Sequence, residues 1–142
     1  MIINDKFLNE LLAKACESER KRMAYDMRTP GHEGISTDNS QRILNALYPG
    51  TMVNVHQHPN STENIVVLKG RLDVILYTLC EGDIREEERY ELDADGECRM
   101  AALPKGVWHS VFVYEPSVIY EAKDGRYGDD GTIYLTKSEC NP

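Results

Sequence analysis

The sequence predicts an all-β sandwich or barrel with one helix at its N-terminal end. Three observations lead there. Short runs of alternating apolar and polar residues recur along most of the chain, separated by Gly, Pro and Asp turns. A single amphipathic helical pattern occurs, at the start, and none of similar quality follows. Strands do not alternate with helices, which disfavours a parallel α/β sheet. At 142 residues the chain suits one domain, 1–142, large enough to bury a core.

Residues 4–21 form the helical pattern. Asn4 or Asp5 can cap it, and Phe7, Leu8, Leu11, Leu12 and Ala15 make the apolar stripe. Glu10 with Lys14 and Glu17 with Lys21 supply i,i+4 charge pairs. Strands are then expected at 22–28, 42–48, 52–58, 64–70 and 71–79. The turn at Glu81-Gly82-Asp83 returns the chain through IREEERYEL, and further strands follow at 97–103, 110–114, 117–123 and 132–135. About nine or ten short strands at such spacing indicate a sandwich or barrel. The Gly- and Ser-rich stretch 29–40 reads as a loop, with His32 a solvent-exposed loop residue, and 125–131 reads as a loop before a short tail.

Composition narrows the function. Apolar residues make up 41% and charged residues 28%, as in soluble globular proteins. A formal charge of −8 and a pI near 5.0 argue against a nucleic-acid partner, whose phosphates are met by clustered Lys and Arg. The charge run REEER at 85–89 reads as a solvated hairpin tip. Four cysteines (Cys16, Cys80, Cys98, Cys140) show no close spacing and read as structural thiols. The start lacks a basic n-region, and no window is apolar enough to span a bilayer. No membrane association and a cytoplasmic location are therefore expected.

The chemistry concentrates in two segments. GTMVNVHQHPNSTENIVVLKG (50–70) carries His56, His58 and Glu63, and PKGVWHS (104–110) carries His109; the chain holds only 4 histidines. Histidines at i and i+2 on a strand project from one face, so both can reach one ion. The PNST turn returns the chain and brings Glu63 beside them. Three imidazoles and one carboxylate suit one divalent transition metal (Fe, Zn, Ni or Mn) and leave coordination positions open. A structural zinc site more often uses cysteine and closes itself.

These residues carry a resemblance. Gly50, His56, His58, Glu63 and Gly70 stand at every fixed position of the first cupin motif. Gly96, Pro104, Gly106 and His109 resemble the second motif more loosely, with a longer opening interval and Val113 where Asn is common. The runs SERKRMAYDMR, QRILNALYPGT, KGRLDVILY, PKGVWHSV and YEAKDGRYG further resemble the WbuC-type cupin metalloproteins over roughly residues 1–128, with Arg126 in place of that family's Pro. The resemblance implies a cupin double-stranded β-helix, a jelly-roll barrel whose core spans 41–123 behind the 4–21 helix. It also implies a link to surface-polysaccharide biosynthesis, while the reaction of those proteins is poorly defined.

Other residues complete the reading. Glu121 and Lys123 share a strand face: lining the barrel, they would be acid/base or substrate-binding groups; outside it, a rim ion pair. Arg42 lies in an otherwise apolar strand and needs a carboxylate or a ligand anion; Arg22 stands in a similar position, and both also fit a scaffold ion pair. One of Tyr25, Tyr77, Tyr120 and Tyr127 is expected to offer its hydroxyl to the pocket, with Tyr127 the candidate for substrate binding, and Trp108 reads as pocket wall or core. Arg42, Glu121 and Lys123 are expected to line the metal cavity together. Two functions compete. One is an enzyme, a metal-dependent isomerase, epimerase or dioxygenase acting on a sugar or nucleotide sugar. The other is a non-catalytic metal-dependent small-molecule or carbohydrate-binding module. Exposed edge strands favour a homodimer.

Overall fold

The computed structural model describes residues 1–28 and 38–135; His32 and Cys140 lie outside them. The helix α1 spans Asp5–Glu17, and ten strands follow among the described residues: β1 Arg22–Asp26, β2 Ser40–Leu47, β3 His56–Gln57, β4 Glu63–Lys69, β5 Arg71–Cys80, β6 Asp83–Asp93, β7 Met100–Leu103, β8 Trp108–Val113, β9 Ser117–Asp124 and β10 Ile133–Tyr134. They form two antiparallel five-stranded sheets, ordered β1-β2-β9-β4-β7 and β10-β3-β8-β5-β6. This is the cupin jelly roll. Among the described residues, no helix is long and apolar enough to cross a membrane.

Helix α1 is shorter than its pattern. Asn4 caps the start by accepting from the Phe7 N–H at 3.0 Å. At the other end Ser18 is extended, and its N–H donates to the Lys14 and Ala15 carbonyls. Lys21 then takes a left-handed backbone (φ 55) and donates its ammonium to the Cys16 carbonyl at 2.7 Å. The lysine expected to pair with Glu17 on the helix thus closes its C-terminus instead, where a cation suits the exposed carbonyls. The stripe of Leu8, Leu11, Leu12 and Ala15 packs on Leu44, Ala46 and Val118, outside the first sheet.

Between the sheets lies the main core: Leu47, Ile65, Val67, Leu72, Val74, Leu92, Leu103, Val113 and Ile119. Gly70 (φ 84) turns β4 into β5, and a Cβ there would overlap the Pro116 carbonyl and Ser117 Oγ. Strand alternation fixes what faces inward: on β4 Glu63, Ile65 and Val67, and on β9 Ile119, Glu121 and Lys123. The strand expected over 52–58 shrinks to His56–Gln57. It pairs with β8 through His56 and His109, and with β10 through Gln57–Ile133 and His56–Tyr134.

Candidate metal centre

At one end of the barrel the inward face becomes polar. His56 enters from β3, His58 from the residue after it, Glu63 from the start of β4 and His109 from β8. One ligand atom from each lies within 4.8 Å of the others. Pairing of His56 with His109 across the β3–β8 ladder sets their rings 4.3 Å apart, and His58 lies 5.0 and 5.3 Å from them. His58, Glu63 and His109 are buried.

The tautomers follow from the partners. His56 Nδ1–H donates to the Asn54 carbonyl at 2.8 Å, and His109 Nδ1–H to the Val107 carbonyl at 2.9 Å. For His58, Thr132 spends its hydroxyl hydrogen on Asp130 Oδ2, so Thr132 Oγ1 accepts from His58 Nδ1–H at 2.9 Å. Asp130 Oδ2 itself lies 3.3 Å from the same nitrogen. Each ring therefore turns an Nε2 lone pair toward the shared centre. His58 Nε2 and His109 Nε2 are buried without a hydrogen-bond partner, although Glu63 oxygens lie 2.5 and 3.7 Å away. Those contacts are close but set lone pair against lone pair. Such a cluster is satisfied by a cation at its centre, and the donor set of three imidazoles and a carboxylate fits a divalent transition metal.

Electrostatics agree. Burial pushes the His56 imidazole down to about 4, and the neighbouring His109 adds to that, so the ring stays neutral and able to ligate. Burial pushes the Glu63 carboxyl up, and hydrogen bonds from His109 and His58 in the form that carries an Nε2–H would pull it down to about 2; with the Nε2 lone pairs turned inward, a cation takes the place of those hydrogens.

A cavity of about 430 Å³ opens beside the cluster. Arg20, Arg22, Asn45, Glu121, Tyr127 and Tyr134 are among its walls. Glu121 faces it from β9. Burial pushes that carboxyl up to about 8, with the Glu63 charge adding to the shift. Asn45 holds it at 3.4 Å. Arg22 lines the cavity, and Tyr127, 68% exposed, stands at its rim.

Arg42 and Lys123 are placed differently from the expectation that they share this cavity with Glu121. On β2 the cavity-facing residues are Gln41, Asn45 and Leu47. Arg42, one residue out of that two-residue period, is exposed on the other side and lies 4.0 Å from Asp38. Lys123 follows Glu121 on the inward face but is buried, its ammonium 2.6 Å from Asp130 and 3.3 Å from the Gly125 carbonyl. It reaches the cluster only through Asp130, whose carboxyl burial pushes up and Lys123 and Thr132 pull down to about 2. Asp130, taken as part of a plain loop over 125–131, and Thr132, taken only as the first residue of a strand, are the residues the sequence reading missed. The available signal was chemical: a buried ligating histidine needs an acceptor behind it, and GRYGDDGT offers two aspartates. Cys16, Cys80 and Cys98 are free thiols away from the cluster.

The model of the family described as "Domain of unknown function (DUF6016)" matches residues 3–89, more than half of the chain, and the chain belongs to that family. No curated protein matches it. Among solved structures, an oxalate oxidase in complex with the substrate analogue glycolate is similar at TM-score 0.57 and 18% identity, over 83% of this chain and 57% of that one. The chain thus spans little more than half of that protein. The capsular polysaccharide assembling protein CapF from Staphylococcus aureus gives TM-score 0.54 and 18% identity, over 69% of this chain and 27% of that one. KdgF from Halomonas sp. gives 0.53 and 18%, over 74% and 81%. At such identities the likeness concerns the fold, which is that of the cupins.

Proposed function

We propose that this member of the DUF6016 family is a metal-dependent cupin of the WbuC type that acts on a small polar, anionic metabolite. A sugar or nucleotide-sugar intermediate of surface-polysaccharide biosynthesis is the substrate class this reading favours. The observation that carries it is the juxtaposition of the four-ligand cluster with a free-facing carboxyl, Glu121, in one cavity also walled by Arg20 and Arg22. His56, His58, Glu63 and His109 would hold a divalent ion, which when bound would supply Lewis acidity toward a hydroxyl or carbonyl group. Glu121 holds or takes a proton at its carboxyl oxygens, in a site screened from bulk water on the β9 side. Arg22 and Arg20 orient an anionic substituent, and Tyr127 closes the rim. Lys123 acts at one remove, by keeping Asp130 ionised behind His58. The likeness to a capsular polysaccharide assembling protein is in keeping with the substrate class.

The test is a calorimetric screen of metal-loaded protein against nucleotide sugars and sugar acids, with product analysis by NMR and an oxygen electrode. The proposal expects at least one to bind and turn over, with Glu121→Gln binding it but losing turnover. Iron with oxygen uptake would mark an oxygenase, and turnover without oxygen an isomerase or epimerase. Binding without turnover would establish the binding module instead. No binding at all would overturn both.

A further inference from the structure

The two sheets differ in what covers their outer faces. The first carries α1, whose apolar stripe lies on Leu44, Ala46 and Val118. Among the described residues no helix covers the second. Alternation turns Val111 and Val113 of β8 and Leu72 and Val74 of β5 into the core. The residues between them face out, paired across the two strands: Trp108 with Tyr77, Ser110 with Ile75 and Phe112 with Asp73. Phe112 is 51% exposed and Tyr114, just beyond the end of β8, 40%. These rings are held in place. Tyr114 donates its hydroxyl to Asp73 at 2.5 Å, Arg71 stacks over its ring at 4.6 Å, and Phe112 meets it edge-on at 5.1 Å. Asp73, outward-facing yet buried, also takes Arg89 at 3.1 Å. Aromatic residues and arginine on a bare, pre-set sheet face are the composition of an interface core rather than of a solvated surface.

We infer that this face binds a second copy of this chain, outer sheet against outer sheet, about a twofold axis. Charge favours the copy. Two chains of net charge −8 repel each other, and this face does not add to that repulsion, because the charges around its rings are closed among themselves. Arg71 pairs with Glu91 at 3.1 Å, and Arg89 with Glu86 at 2.7 Å as well as with Asp73. Shape is self-complementary. Ser110, buried, lies low between Trp108 and Phe112. An axis crossing the strands there seats Trp108 of each copy on Phe112 of the other. Area suffices. β8, β5 and β6, about 4.8 Å apart and about 20–36 Å long, with the short β3 and β10 beside them, give a projected face on the order of 500 Å². Side-chain relief brings the accessible area toward the roughly 800 Å² per partner of a standard interface. The edges, by contrast, resist pairing: β6 is charged from Arg85 to Arg89, and β10 is 2 residues long. The homodimer expected from edge strands is thereby moved to a sheet face.

The inference does not rest on the metal reading, so the test runs on EDTA-treated and zinc-loaded full-length protein alike. Sedimentation equilibrium at micromolar concentration is expected to give twice the chain mass of 16.2 kDa. Phe112→Gln, an exposed change, should weaken the dimer at least about tenfold. Leu68→Gln, at an exposed apolar residue of β4 in the other sheet, should leave the mass unchanged. Trp108 is the chain's single tryptophan, so its fluorescence reports this face directly. Dilution of the unsubstituted protein through dissociation should shift that emission to longer wavelength as the indole meets water, which keeps the test alive if Phe112→Gln fails to fold. A mass of 16.2 kDa at every concentration would leave the face to some other protein and overturn the inference. So would a dimer that survives Phe112→Gln, one that falls apart in Leu68→Gln, or a Trp108 emission that stays fixed as the dimer dissociates.

Discussion

The two ends of the barrel interior are built from the same strands and behave as opposites. On β4 the inward residues run Glu63, Ile65, Val67; on β8, His109, Val111, Val113; on β9 the order reverses from Glu121 to Ile119. Period-two alternation delivers all of them to one interior, yet one end is ligands and acids and the other a close-packed aliphatic core. The apolar end is satisfied by its own packing. The polar end holds buried His58 and His109 lone pairs that a bound cation satisfies. One end therefore carries stability and the other function, within a single continuous stack of side chains.

The comparison predicts that substitutions at the two ends separate cleanly. Ile65, 1% exposed at the apolar end, should cost about 2–5 kcal/mol of unfolding free energy on change to Ala, with or without metal, in urea titrations. His58→Ala should do the reverse: metal content by elemental analysis falls to near background, while the unfolding midpoint of metal-free protein changes little or rises. Loss of stability in that variant equal to the Ile65 loss would erase the distinction between the ends.

Behind the ligands, Asp130→Asn should lower metal affinity by about 10–100-fold in competition with a chelating dye, because His58 loses its charged acceptor. An unchanged affinity would remove Asp130 from the site. Acidity sharpens the contrast further. Burial raises the Glu121 carboxyl to about 8, so the folded metal-free protein binds its proton more tightly than the unfolded chain does. That contribution is fully present below the unfolded value of 4.5 and is lost as pH rises through about 8. Metal-free Glu121→Gln should therefore gain in melting temperature over the parent as pH climbs from about 5 to 8. A constant difference across that range would contradict the assignment. The smallest effect belongs to the scaffold: Asn4→Ala should cost about 1 kcal/mol through the lost cap and leave metal binding untouched.

Legibility in the sequence followed sequence distance. His56, His58 and Glu63 sit on either side of one turn, so spacing alone places them together, and the Pro104–Gly106 turn before His109 marks the second strand. A sandwich or barrel was legible too, because Gly, Pro and Asp turns separate the alternating runs; the jelly roll itself came from the resemblance. What escaped depended on contacts across the fold. Asp130 and Thr132 meet His58 over more than seventy positions, and a Gly-Asp loop carries no sign of its partner. Arg42 was placed in the metal cavity on the strength of its apolar neighbours; strand phase, off by one residue, decides otherwise. The helix end at Ser18 was hidden because Lys21 suits both a helical pair and a capping ammonium.

The central claim is that three imidazoles and one carboxylate converge on a single divalent ion. X-ray absorption on protein loaded with one equivalent of zinc tests it most directly. The account predicts a shell of nitrogen and oxygen neighbours with the outer-shell scattering of three imidazole rings, falling to two in His109→Ala. A sulfur neighbour, one imidazole or none, or an unchanged spectrum in His109→Ala would contradict it.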